Sequence, residues 1–331
     1  MKNNSRFRNT FCLVYVIYLS ILYRRQLLNI RFDPGFKQIV MKCESHLNCS
    51  SAEKTLFIVN GYSINECSQC GHRFTRIDDL KNHLNEVYSD DYFFEGKAGY
   101  PDYLAEKELL IKAGNRYAKI ISNYMTPGKL LDVGCAAGFI MKGFEDEGWE
   151  CEGIEPNLTM VSYGRNVMNM NIFNGSLEEF TYTSKYDLIC LIEVIGHFYD
   201  LKKATLNILN LLNDDGYVLV ESWNMKSFAA KVLGKRWHEY SPPSVLNWFS
   251  DNTLAHLFED IGFKMVAKGY PQKTINVEHA LSLLEEKLPE FGFKKKLFKI
   301  TSALAGRLTV IYPLHDLNWY LFKKTPSGNT A

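Results

Sequence analysis

Between residues 129 and 222 the chain switches repeatedly between two apolar patterns, and this alternation limits the fold more than any other feature. KLLDVG (129–134), ECEGIE (150–155), NIFNG (171–175), YDLICLIE (186–193) and YVLVES (217–222) are short apolar runs that read as buried strands. The segments between them carry apolar residues at helical spacing. LKKATLNILNLL, for example, places Leu201, Ala204, Thr205, Ile208, Leu211 and Leu212 on one face. Strands that alternate with helices at this pitch predict a mostly parallel, seven-stranded sheet with helices on both faces, since parallel neighbours need a crossover between them. The turn NDDG precedes the fifth strand. Downstream, a helix at 251–261 and the strands FKMVAKG and NWYLFKK complete the set, with two amphipathic helices at 276–309 read as an insertion.

Upstream, LAEKELLIKAGNRYAKIISNYM predicts a helix that Pro127-Gly128 ends. The expected organisation is an apolar and basic leader (1–40), a cysteine-rich segment (41–76), a helical connector (77–128) and a main domain (129–325). Within the main domain, the aromatic segment 223–250 is long for a connection and is expected to cap the site. The leader run FCLVYVIYLSILY has thirteen residues against the roughly 20 that a span needs, so no stable membrane span is expected. A start at Met41 accounts for the leader equally well.

Charge narrows the partners. With a formal net charge of +1, and basic residues interspersed with acidic ones outside FKKKLFK, the chain lacks the basic stripe that phosphate neutralisation requires. No nucleic-acid partner is expected. Of eight cysteines, four (Cys43, Cys49, Cys67, Cys70) crowd into one segment, while Cys135, Cys151 and Cys190 sit in apolar runs. This is the distribution of a metal knot with reduced core thiols, which suits a cytoplasmic location.

The glycine-rich turn LLDVGCAAGF joins the first strand of the alternating region to its first helix, where such sheets bind ligands. A P-loop is excluded because G-x4-G-K-[ST] is absent, and two of the three glycines of a dinucleotide fingerprint fail. The remaining pattern, Asp132, Gly134, Ala136 and Gly138, resembles the first motif of the class I S-adenosylmethionine-dependent methyltransferases. That resemblance implies a Rossmann-like fold and S-adenosyl-L-methionine as cofactor. It continues in order through Glu155 and Pro156 in GIEPN, Gly175, Ser176 and Leu177 in NGSLEEF, and YDLICLIEVIGHF with Leu191. It implies that Asp132 serves the methionine end, that Glu155 accepts both ribose hydroxyls, that residues 175–177 line the adenine, and that Cys135 shares the loop. Tyr100 and Tyr103 resemble tyrosines that some relatives lay over the cofactor.

Methyl transfer asks an enzyme for alignment and a base. His197, just past the fourth strand, is the first base candidate, and Glu193 precedes it. Where relatives read E-V-x-E-H this chain has Gly196, which speaks against a catalytic metal. A helix-start histidine bonded to backbone is the alternative for His197. His238 is the second candidate, with Trp237 and Tyr240 as aromatics that could stack on an acceptor, or simply pack the long loop. The expected partner is a small-molecule methyl acceptor: a sugar, a glycan precursor or another secondary metabolite. A fold that binds but does not turn over, and a zinc-dependent nucleic-acid modifier, are the competing readings.

CSQCGHRFTRIDDLKNH has the C-x2-C-x12-H spacing of a nucleic-acid-reading finger, but the second histidine that a finger needs a few residues after His83 is missing from LNEVYSDDY. One group within the resembled family carries an N-terminal zinc ribbon of two C-x2-C pairs. By that resemblance a structural zinc would be held by His46, Cys49, Cys67 and Cys70, with Cys43 an alternative ligand.

Overall fold

The computed structural model describes residues 53–77, 87, 89–94, 102–181, 184–271, 274–276, 309–311 and 315–325. The chain opens with an antiparallel meander of β1 (Glu53–Val59), β2 (Tyr62–Cys67) and β3 (Arg73–Phe74). Two helices follow, α1 (Asp90–Phe94) and α2 (Lys107–Ile121). The alternating region then forms β4 (Lys129–Val133), α3 (Phe139–Glu145), β5 (Glu150–Glu155), α4 (Leu158–Asn166), β6 (Asn171–Asn174), β7 (Tyr186–Ile192), α5 (Leu201–Leu211) and β8 (Leu212–Trp223). The last part holds α6 (Phe228–Leu233), β9 (Asn247–Trp248), α7 (Asp251–Glu259), β10 (Phe263–Gly269), the ribbon β11 (Thr274–Asn276) with β12 (Thr309–Ile311), and β13 (Leu317–Lys324).

The main sheet has seven strands in the order β10-β13-β8-β7-β4-β5-β6. All strands run one way except β13, which is antiparallel to both neighbours. The expected mostly parallel sheet is thus correct, with one reversed strand that lets β10 and β13 pair across the predicted insertion. Residues 277–308, where the two late helices were expected, lie outside the described residues.

Alternation along the central strands supplies two cores. Leu131, Ile189, Leu191, Val218 and Val220 face one side and meet α5 and α7; Leu130, Leu188, Cys190 and Leu219 face the other and meet α2, α3 and α4. Helix α5 buries the five residues Leu201, Ala204, Thr205, Ile208 and Leu211, its N-cap Asp200 accepting from the Lys203 N–H. NDDG is not a separate turn: it lies within β8, and pairing with β7 shifts register between Tyr186 and Leu188. Asp187, at the start of β7, accepts from the Lys129 N–H at 2.8 Å and from Asn213 Nδ2 at 2.7 Å, stapling three strands.

A second sheet departs from the expected division. β1, β2 and β3 do not stand alone, since β3 pairs with β9 of the cap, Arg73 opposite Trp248 and Phe74 opposite Asn247. His72 Nε2 lies 3.2 Å from Asn247 Oδ1, Arg73 donates to Tyr240 Oη at 2.5 Å, and the Thr75 N–H donates to the Leu246 carbonyl. The N-terminal meander and the cap are therefore one structural unit with a shared core of Ile64, Trp237, Tyr240 and Trp248. Among the described residues no helix is long and apolar enough to cross a membrane.

Candidate active site

Strand β4 ends at Val133, and the chain turns through Gly134 (φ 69°), Ala136 (φ 47°) and Gly138 (φ 78°) before α3 begins. Left-handed backbone at an alanine costs about 1–2 kcal/mol, which marks the turn as specified by its surroundings. At Gly134 a Cβ would come within 2.7 Å of Val194 Cγ2, and at Gly138 within 2.9 Å of Met170 Cγ. The glycines thus serve both the turn and the close approach of neighbouring segments.

The loop closes around Glu155. This carboxylate, at the end of β5 and 3% exposed, accepts the Ala136 N–H on Oε2 at 2.9 Å and the Asn157 N–H on Oε1 at 2.8 Å. Asn157 in turn caps α4 by accepting from the Met160 N–H. A carboxylate offers about four acceptor sites, so two remain for a vicinal diol. Asp132, also 3% exposed, lies on the neighbouring strand opposite Gly153. Burial, with Glu155 nearby, pushes Asp132 up to about 8; burial pushes Glu155 up to about 7 against the pull of its two backbone donors. These residues fit a cofactor that carries an ammonium, a sulfonium and a ribose diol, because a cation offsets the cost of ionising buried acids.

That environment predicts a pH dependence. Because both folded-state values lie above the ordinary carboxylate range, the ligand-free protein is most stable where both are protonated, below about pH 4, and loses that contribution as pH rises through 7 to 8. A cationic ligand reverses the preference. Affinity for S-adenosylmethionine is expected to rise at least about tenfold from pH 6 to pH 8, with protons released on binding. Calorimetry in two buffers of different ionisation enthalpy measures both. A flat profile with no proton release would show that the acids are already ionised.

The remaining predicted cofactor residues fall into place unevenly. Gly175 (φ 150°) bonds its N–H to the Glu155 carbonyl, and Asn174 Nδ2 donates to the carbonyls of Glu155 and Pro156, so residues 155–156 and 174–176 line one edge of the loop. The side chains of Cys135, Leu177 and Leu191 are buried in the two cores, which leaves only their backbone to face a ligand. Tyr103 stacks on Phe139 with centroids 5.4 Å apart, inside an aromatic cluster that includes Ala136. Tyr100 lies outside the described residues.

The catalytic candidates gather past β7. His197 Nδ1 lies 2.7 Å from the Ser244 carbonyl, which can only accept. The ring therefore carries its proton on Nδ1, and when neutral its lone pair is on Nε2. The backbone-bonded reading of His197 is the one observed, and the same bond leaves Nε2 as the ring nitrogen with a lone pair. Glu193 has a left-handed backbone (φ 57°) and donates its N–H to the Glu221 carbonyl. His238 packs edge-on to Trp223 at 4.6 Å. At Gly196 a Cβ would meet the Asn247 carbonyl at 3.1 Å, so the cap sits where a second glutamate would project.

One sequence reading is corrected. Trp237 and Tyr240 are 1% and 5% exposed, Trp237 Nε1 donates to Asp316 Oδ2, and Tyr240 takes the Arg73 bond, so neither is available to an acceptor. The aromatics that line a pocket at the carboxyl ends of β7 and β8 are Trp223 and Trp248, together with Glu193, Glu221, Ser222 and Glu239. Glu221 and Ser222 close the strand YVLVES, so their position at a parallel strand's carboxyl end was the available signal; nothing local marked Glu239.

Of the zinc ligands, Cys67 is buried and Cys70 packs against it on the hairpin between β2 and β3, where the Gly71 N–H bonds to the Cys67 carbonyl. Cys43, His46, Cys49 and His83 lie outside the described residues. Among the described residues no three His, Cys, Asp or Glu side chains converge on a metal position.

A mostly parallel sheet with two buried acids at the ends of adjacent strands, both bordering a glycine turn, is an α/β arrangement that suits a cationic nucleoside cofactor. Residues 105–268, just under half of the chain, match the family model of methyltransferase domains. A ubiquinone biosynthesis O-methyltransferase of Rickettsia felis is 30% identical over 142 residues, covering 41% of this chain and 56% of that protein. Its namesake in Rickettsia canadensis is 29% identical over 143 residues, covering 41% and 58%. The chain thus spans little more than half the length of these curated relatives. Among solved structures, a SAM-dependent methyltransferase from Archaeoglobus fulgidus aligns over 67% of this chain and 99% of its own, at 16% identity and a TM-score of 0.46. A 1,6-didemethyltoxoflavin-N1-methyltransferase of Burkholderia thailandensis with bound S-adenosylhomocysteine aligns over 82% and 99%, at 13% identity and a TM-score of 0.46.

Proposed function

We propose that the protein transfers a methyl group from S-adenosylmethionine to a small-molecule acceptor. The observation that carries this reading is the pair Asp132 and Glu155, two buried acids with raised proton affinity held around a left-handed turn. Asp132 would hold the α-amino group, Glu155 the ribose diol, and the backbone of residues 175–177 the adenine edge. The cofactor supplies an electrophilic methyl on a sulfonium. The chain's task is to place an acceptor beside it, exclude water and remove a proton. The acceptor would approach at the carboxyl ends of β7 and β8, where Glu193, Glu221 and Trp223 meet the cap residues Glu239 and Trp248. His197 would take the proton on Nε2, its Nδ1–H held by the Ser244 carbonyl.

Isothermal titration with S-adenosylhomocysteine, followed by a methyl-transfer screen with labelled S-adenosylmethionine, tests the reading. Micromolar binding and transfer to at least one acceptor are expected; a folded protein that binds no cofactor refutes it. With the acceptor that emerges, His197→Ala should lower kcat about a hundredfold and leave cofactor affinity unchanged, in the range expected for loss of a general base. An unchanged kcat would return His197 to a purely structural role. The Cys67–Cys70 hairpin is proposed to hold half of a structural zinc site. Metal analysis of the full chain checks this, with about one zinc per chain expected, falling in Cys67→Ser. The thiols of Cys135 in the glycine turn and of Cys151 and Cys190 in the main sheet are buried and free, consistent with the proposed cytoplasmic location.

A further inference from the structure

We infer that Asn247 and His72 are positioning residues for His197, so that the N-terminal meander, outside the matched span 105–268, sets the rate of methyl transfer; this assignment rests on the reading of His197 as the base. Three consecutive residues around that histidine each bond to the cap. The Leu246 N–H donates to the Gly196 carbonyl at 2.8 Å, His197 Nδ1 meets the Ser244 carbonyl at 2.7 Å, and Asn247 Nδ2 donates to the Phe198 carbonyl at 2.7 Å. The turn Ile195–His197 has three residues and no side-chain cap of its own, so these bonds orient it.

Both sides of the turn are close-packed. At Gly196 a Cβ would meet Val245 Cγ1 at 3.3 Å as well as the Asn247 carbonyl, which is why glycine stands there. Val194, just before the turn, packs so tightly on Gly134 of the cofactor loop that a Cβ there would lie 2.7 Å from Val194 Cγ2. Tyr92 of α1 meets the His197 ring edge-on, with centroids 6.4 Å apart. His197 is thus held between the cofactor loop and the cap.

The position of the cap is set in turn by the meander. Asn247 is 9% exposed, and its amide has a fixed sense: the Phe198 carbonyl can only accept, so Nδ2 faces it and Oδ1 faces His72 Nε2. His72 Nε2 therefore carries the proton and donates. His72 is 1% exposed and packs on the rings of Phe74 and Phe249, so water does not compete for this bond. The Thr75 N–H donates to the Leu246 carbonyl, Arg73 to Tyr240 Oη, and Asn60 Nδ2 to the Pro242 carbonyl at 3.0 Å, bracing residues 240–247 at intervals. Packing alone would not need this polar matching. An apolar pair at 72 and 247 would fill the same space without reaching the Phe198 carbonyl.

The test begins without an acceptor. The full chain, labelled at histidine nitrogen and saturated with S-adenosylhomocysteine, is read by NMR at about pH 8, above the ordinary histidine range, with His197→Ala assigning the His197 ring. The wild-type ring should show one tautomer, protonated at Nδ1. Asn247→Leu and His72→Phe should mix the two tautomers, and His72→Gln, whose amide can donate from the place of Nε2, should restore the single form. His72→Phe keeps a ring beside Phe74 and Phe249 and is expected to fold, with melting temperature and S-adenosylhomocysteine affinity unchanged. With the acceptor found by the screen, His72→Phe should lower kcat about tenfold, as for one misdirected hydrogen bond, and His72→Gln should recover it to within about twofold. In the His197→Ala background His72→Phe should cost nothing further, because it acts through that ring. A single wild-type tautomer in folded Asn247→Leu overturns the assignment, as does a kcat loss from His72→Phe that persists without His197. If His197→Ala leaves kcat unchanged, the base reading and this assignment fail together while methyl transfer stands. A folded protein that binds no S-adenosylhomocysteine removes the methyltransferase reading, and this assignment with it.

Discussion

Replacing Asp132 and Glu155 together by alanine is expected to weaken S-adenosylhomocysteine binding at least about a thousandfold, because two charge-assisted interactions are lost from a water-poor site. The fold should survive. Both acids are buried and hold their protons into the neutral range, so at pH 8 their removal relieves a desolvation cost even as it vacates space. Glu155→Ala does strip acceptors from the Ala136 and Asn157 N–H groups, so the isosteric pair Asp132→Asn and Glu155→Gln is the proper companion. Calorimetry on both pairs, with circular dichroism to verify folding, separates the outcomes. Near-normal affinity in a folded double variant would show that the cofactor, if bound, uses other residues.

The second large effect concerns stability. Helices α2 and α3 cross where Gly114 and Gly143 meet. A Cβ at Gly143 would lie 2.3 Å from the Ile111 carbonyl oxygen and 2.5 Å from the Asn115 nitrogen, and one at Gly114 would lie 2.2 Å from the Ile140 carbonyl oxygen. These are backbone atoms, which cannot swing aside as a side chain would. Gly143→Ala must separate the helices, at a cost of about 3 kcal/mol or more if the packing relaxes only in part. For a domain of this size that corresponds to a fall in Tm of roughly 6–12 °C. Since α3 starts at Phe139, directly after the Gly138 that ends the glycine turn, cofactor affinity should fall with stability. A thermal melt with and without S-adenosylhomocysteine checks both effects. An unchanged Tm would mean that the crossing is looser than described.

Much of the fold was legible because its signals are local. The strand ECEGIE, predicted at 150–155, forms at Glu150–Glu155, and FKMVAKG forms Phe263–Gly269, since each is an apolar run bounded by turn residues. The face of α5 was read residue by residue from a 3.6-residue period. Helix ends are less legible: α3 stops at Glu145, three residues short of the left-handed Gly148 (φ 91°) that a reader of the chain would take as its end. The glycine turn and its acids were legible for a similar reason, as strand, turn and helix follow one another within ten residues.

The sequence by itself determined the alternating strands and helices, the turn at Gly134 to Gly138 and the acids beside it, because periodicity, turn chemistry and residue type act between near neighbours in the chain. Only the tertiary structure decided which aromatics are core and which line the pocket. Trp237 and Trp248 are both 1% exposed, yet only Trp248 belongs to a strand that borders the pocket. The tertiary structure also decided that the N-terminal meander backs the pocket wall formed by β9, through the pairing of Arg73–Phe74 with Asn247–Trp248. That pairing joins two-residue strands far apart in the chain. So short a strand carries almost no pattern of its own, and its partner is chosen by the packing of everything between them.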